Sequence, residues 1–162
     1  MAGRPPQSKR EVYDAAQRAR RDATAWTTVQ AVLAPVQFAV FLVSLALVLA
    51  SLATGDYAQA ATLSILVKTG ILYAIMVTGA LWENAVFGRY LFAPSFFWED
   101  VVSFAVIALH TAYVVMVAGG FGSLEAQFAV ALAGYGVYVI NAGQFLFKMR
   151  LARLQRAQSV PA

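Results

Sequence analysis

Apolar residues run almost unbroken through most of this chain, and the few polar positions stand out against them. No Lys, Arg, Asp or Glu occurs from Ala23 to Gly55. About 18 or more such residues suffice to cross a bilayer as a helix, because at ~1.5 Å per residue they approach the ~30 Å hydrocarbon core. The pattern therefore predicts a first span over about 26–52. A second run, 57–82, is interrupted only by Lys68, and a third, 101–118, only by His110. A fourth covers 126–147 and closes on Lys148. Two of the breaks, "ATGDY" and "GGFGSLE", carry glycine turn chemistry. The remaining break, "GRYLFAPSFFWED" (88–100), is unusual: it is crowded with aromatic side chains and ends on the adjacent carboxylates Glu99 and Asp100.

The predicted fold is all-α, an integral membrane four-helix bundle. A basic amphipathic arm (1–25) precedes the membrane domain (26–147), and a basic tail (148–162) follows it. Composition agrees, since 60% hydrophobic and 12% charged residues are far too apolar for a soluble chain of 162 residues. The absence of cysteine excludes disulfides, thiolate metal sites and a thiol nucleophile, and one histidine excludes a zinc cluster of the usual kind. The first span is too long for a signal peptide and lacks a well-placed small-residue cleavage site.

The net charge of +4 does not point to nucleic acid, because the basic residues flank apolar runs. They report orientation instead, since Lys and Arg in short loops are retained on the cytoplasmic side. Six lie in the arm (Arg4, Lys9, Arg10, Arg18, Arg20, Arg21), Arg89 lies in the aromatic loop, and four lie in the tail (Lys148, Arg150, Arg153, Arg156). Both termini and the aromatic loop are thus expected to face the cytoplasm. Ser8 and Glu11 have capping-box spacing. The arm reads as a solvated helix on the anionic leaflet.

Ionisable groups inside a bilayer cost several kcal/mol when they face lipid, so they normally face a partner, a cavity or a ligand. Lys68 and His110 both fall near mid-membrane. Along the third span, Glu99, Ser103 and His110 lie within roughly 40° of one another at ~100° per residue, with Asp100 pointing elsewhere. Glu83 lies near the Lys68 face of the second span. Tyr135, Tyr138, Asn141 and Gln144 recur every three residues in the fourth, and Gln30, Gln37 and Ser44 every seven in the first. Packed together, these faces make a cavity with Glu83, Glu99 and Asp100 at its mouth and the loop aromatics as its roof. Plainer readings exist for each group: amide stripes as interhelical glue, Lys68 and His110 as structural partners, and the carboxylates as helix caps. Phe96, Phe97 and Trp98 fit an interfacial belt. What favours a site is their convergence at one end of one bundle.

"FGRYLFAPSFFWEDVVS" (87–103), "ALHTAYVV" (108–115), "YVINAGQFLFKMR" (138–150) and "LAPVQFAVFLVSLALVL" in the first span resemble the 3-vinyl bacteriochlorophyllide hydratase family. These are small membrane proteins of bacteriochlorophyll biosynthesis in phototrophic bacteria. The resemblance runs from about Asp22 to Arg153 and implies addition of water to the ring-A vinyl group of a chlorophyllide or bacteriochlorophyllide, giving a 1-hydroxyethyl side chain. It implies a multi-pass protein of the bacterial cytoplasmic or intracytoplasmic membrane. It supplies no catalytic residues.

Hydration of a vinyl group needs a general acid, a base for the water and a pocket with restricted water; it needs no cofactor, and the chain carries no nucleotide, flavin or metal-cluster motif. Glu83 and Glu99 are the candidates for acid and base, with Asp100 in reserve. Asn141 and Gln144 are candidates for positioning water or binding ring-E carbonyls, and Tyr138 shares their face. His110 is the candidate axial ligand of the substrate magnesium, and Arg89 or Lys68 the candidate partner of its propionate. Phe96, Phe97 and Trp98 are candidates for stacking on the macrocycle. The expected partners are the pigment and membrane lipid, with a homodimer and neighbouring pathway enzymes as candidate associations and no nucleic acid. The competing class is a non-catalytic pigment-binding or assembly protein of the photosynthetic membrane.

Overall fold

The computed structural model describes residues 11–158. All its regular structure is helical: α1 (Ala15–Ala23), α2 (Ala25–Thr54), α3 (Ala58–Phe87), α4 (Phe97–Gly119) and α5 (Leu124–Gln158). Helices α2 to α5 are each long and apolar enough to cross a membrane. α3 and α5 outrun the spans read from sequence at the ends that carry Glu83 and Lys148, because hydropathy stops at the first charge whereas helix propensity continues through "WENAVF" and "KMRLARLQRAQ".

α2 packs along α3, and α4 along α5, as two hairpins whose turns are closed by glycine. Gly55 and Gly120 sit at the C-caps of α2 and α4 with φ of 80° and 65°, a region that a side chain disfavours. The hairpins meet each other more sparingly. A core of Phe41, Val48, Ile65, Val106, Tyr113 and Phe128 holds their halves distant from the basic loops. Ser44 Oγ ties three helices by hydrogen-bonding both Ser64 Oγ, at 2.7 Å, and the Tyr135 hydroxyl.

The other end, called here the basic end, gathers the N-terminal segment, the 88–96 loop and the extension of α5. Asp14 caps the N-terminus of α1, while Ser8, the expected capping residue, lies outside the described residues. The Asp14 carboxylate accepts from Gln17 N at 2.7 Å, and Asp14 N donates to Gln17 Oε1 at 2.9 Å. The segment departs from a solvated anchor. Val12 and Tyr13 are buried against Val86 and Phe96, and Arg20 Nε donates to the Val86 carbonyl at 2.8 Å. Tyr13 stacks on Phe87 at 5.8 Å and meets Trp82 edge-on at 6.4 Å. Apolar residues at positions 12 and 13, just ahead of a polar helix, give the segment something to bury, and α3 offers its aromatic end.

Candidate active site

Between the two hairpins, at the basic end, lies a cavity of about 170 Å³ to which all four long helices contribute. Gln30, Ala34 and Gln37 come from α2, Leu72 through Glu83 from α3, Asp100, Ser103 and Ile107 from α4, and Tyr138, Asn141 and Phe145 from α5. Leu91 of the aromatic loop lines it as well. It reaches the surface beside Ala34, an exposed member of the lining. The next residue is Pro35, inside α2, which has no N–H to offer the Ala31 carbonyl and so weakens the helix at the cavity's open side.

Glu83 and Asp100 form the polar end of this space, both 4% exposed. Their carboxyl groups are close neighbours in the fold. Each also holds the loop: Ala93 N donates to Glu83 Oε2 at 3.1 Å and Phe92 N to Asp100 Oδ2 at 2.7 Å. Phe92 sits in the left-handed region (φ 59°), an uncommon position for an aromatic residue, and Asp100 anchors it there. Asp100, expected off the Glu99, Ser103 and His110 face and held in reserve, lines the cavity, and Glu99 does not. The face of α4 that lines the cavity is Asp100, Ser103 and Ile107, at spacings of three and four. Glu99 belongs to the next face, with Val106, His110 and Tyr113.

Glu99 forms an ion pair with Lys148, Nζ to Oε1 3.3 Å, and Lys148 also donates to the Ser95 carbonyl at 2.6 Å. It is not among the described cavity-lining residues. Its backbone carbonyl accepts from Asn141 Nδ2 at 2.9 Å, and Ser103 Oγ lies 3.3 Å from Asn141 Oδ1. Asn141 thus clamps α4 to α5 while facing the cavity. Tyr138 also lines it. Gln144 does not, although its Oε1 is buried with no hydrogen-bond partner among the described residues.

Lys68 and His110 are fully buried beyond the cavity's inner end. His110 Nδ1 donates to the Val106 carbonyl at 2.8 Å, and Nε2 faces Lys68 Nζ at 3.2 Å. Gly134 makes room for this ring, since a Cβ there would come within 2.9 Å of it. The Lys68 ammonium is boxed by the Tyr138, Tyr135 and Phe41 rings at 4.2, 5.1 and 5.9 Å. Both imidazole nitrogens are in use and Lys68 is sealed, so neither is placed as the expected magnesium ligand or propionate partner.

The aromatic loop is not a roof of stacking rings. Phe96 is buried with Tyr13, Trp82, Phe87 and Phe145, whereas Phe97 and Trp98 are 43% and 68% exposed and face outward. Arg89 is exposed and donates to the Phe92 carbonyl at 3.3 Å. The Gln30, Gln37 and Ser44 stripe splits. Gln30 Nε2 donates to Thr78 Oγ1 at 2.7 Å, and Ser44 is bonded as above. Gln37, 1% exposed, has no partner for either amide atom among the described residues.

The 2-vinyl bacteriochlorophyllide hydratase family matches residues 13–151. The 2-vinyl bacteriochlorophyllide hydratase of Cereibacter sphaeroides is 62% identical over 150 residues, covering 93% of this chain and 93% of its own. That of Rhodobacter capsulatus is 61% identical over 150 residues, covering 93% of this chain and 87% of its own. No solved structure matches the chain.

Proposed function

The chain belongs to the 2-vinyl bacteriochlorophyllide hydratase family, and from that premise we propose that Glu83 and Asp100 hydrate the ring-A vinyl group of a chlorophyllide or bacteriochlorophyllide. The protein is a hydro-lyase. The observation that carries the residue assignment is a pair of buried, neighbouring carboxyl groups at one end of a largely apolar cavity.

Two carboxyl groups buried side by side disfavour both being ionised, so a pair that shares one proton offers an acid and a base together. The acid gives its proton to the terminal vinyl carbon. The positive charge that forms on the carbon attached to ring A is delocalised by the macrocycle. Water adds there, and its surplus proton returns to the carboxylate. Acid and base work of this kind typically contributes 10²–10⁴-fold.

The cavity is smaller than the roughly 300–1,000 Å³ of pockets that enclose their ligands. We read it as the receptacle for the vinyl-bearing edge. The rest of the ring would enter by parting the hairpins beside Ala34 and Pro35, where the pigment can arrive from the lipid. The basic residues of the arm, loop and tail support a reading with this end at the cytoplasmic face of a bacterial membrane and both termini inside.

Incubating the membrane-bound protein with vinyl pigment in H₂¹⁸O tests the reading. The expected product carries one ¹⁸O on the carbon attached to ring A. Recovery of bound but unaltered vinyl pigment would support a non-catalytic pigment carrier instead.

A further inference from the structure

We propose that Gln37 is the axial anchor of the substrate: its side-chain oxygen Oε1 coordinates the central magnesium of the pigment and so sets the ring-A vinyl group against Glu83 and Asp100. This rests on the functional reading above, because it requires a magnesium tetrapyrrole.

The first ground is an unmet requirement. Gln37 lines the cavity, is 1% exposed, and has both amide atoms without a hydrogen-bond partner among the described residues. Leaving a buried amide unpaired is costly. A ligand that enters the cavity can supply the partner.

The second ground is chemical type. Magnesium is a hard cation that takes oxygen donors, and an amide carbonyl oxygen is a suitable neutral one. The imidazole that might compete is committed on both nitrogens, to Val106 and Lys68.

The third ground is spacing. Gln30 pairs with Thr78 and Ser44 with Ser64, so Gln37, midway between them, stands opposite position 71 or so of α3. Glu83 is about 12 residues further along, or ~18 Å of rise. Helical side chains lean toward their own N-termini. α2 starts at the basic end and α3 at the other, so Gln37 and Glu83 lean toward each other along the cavity. Once both side chains have reached inward, the remaining gap is of the order of the distance from a tetrapyrrole's metal to a vinyl substituent on its rim.

The test titrates wild type, Gln37→Leu and Gln37→His, as full chains in detergent, with magnesium vinyl chlorophyllide and with the same pigment freed of its metal. Wild type is expected to prefer the magnesium pigment. Gln37→Leu should weaken that pigment on the order of tenfold or more, since disturbing even supporting contacts at metal sites costs 10–100-fold. Metal-free pigment should bind Gln37→Leu as it binds wild type. Gln37→His, which keeps an axial donor, should retain the preference and guards against a folding defect in the leucine variant. Equal loss for both pigments, or no loss for either, overturns the assignment while leaving hydration intact. Failure of wild type to bind or hydrate either pigment overturns the functional reading itself, and this assignment with it.

Discussion

Lys68 Nζ stands 3.2 Å from His110 Nε2 in a fully buried contact between α3 and α4. With His110 Nδ1 donating to the Val106 carbonyl, the imidazole has one lone pair left, and it faces the ammonium. Tyr138 connects this pair to the cavity, since its ring faces Lys68 on one side and lines the space on the other.

The pair is predicted to be structural. Replacing His110 with leucine leaves a buried lysine without its imidazole acceptor, which should lower stability by ~1–3 kcal/mol or more. The double variant Lys68→Met with His110→Leu should recover part of that loss, because no charge is then stranded. Thermal unfolding in detergent measures both. A double variant as unstable as the sum of the singles would contradict the coupling, as would a His110→Leu protein that melts like wild type.

Tyr13 gives a pH-dependent prediction outside the spans. Burial pushes its phenol up from 10.0 to about 12, with the Arg21 guanidinium 4.9 Å above the ring opposing that rise. A raised folded value means that the contribution is fully present below pH 10 and is lost as pH climbs toward 12. Wild type should therefore lose more melting temperature than Tyr13→Phe across that window. Parallel curves for the two proteins would show that the phenol is not buried under the bundle.

The aromatic loop should divide by burial. Phe96→Ala removes a ring packed among Tyr13, Trp82, Phe87 and Phe145 and should cost about 3–5 kcal/mol. Trp98→Ala touches an outward-facing ring and should stay within about 0.5 kcal/mol, with hydration unchanged. A Trp98→Ala protein that folds but no longer binds pigment would restore the ring to the site.

The four long apolar helices could be read from the sequence because apolar length and glycine turns are local signals. Lys68 and His110 stood out because charge at mid-membrane is costly, but their mutual contact was hidden, being fixed by how α3 and α4 pack. The same limit explains Asp100. A helical wheel gives angles between Glu99 and Asp100 and says nothing about which of them turns toward α3. Gln37 could not be separated from Gln30 and Ser44, since a seven-residue stripe looks alike whether its members are bonded or not. Only the partners Thr78, Ser64 and Tyr135 distinguish them.

The most direct test of the account is the hydration rate of Glu83→Gln and Asp100→Asn, compared with Glu99→Gln, followed by the absorption change as vinyl conjugation is lost. Each of the first two should fall at least ~10²-fold while still binding pigment, the scale of acid and base catalysis. Glu99→Gln, which loosens the Lys148 pair at 3.3 Å, should retain most of its rate. Wild-type rates in both Glu83→Gln and Asp100→Asn would contradict the assignment of the chemistry to this pair.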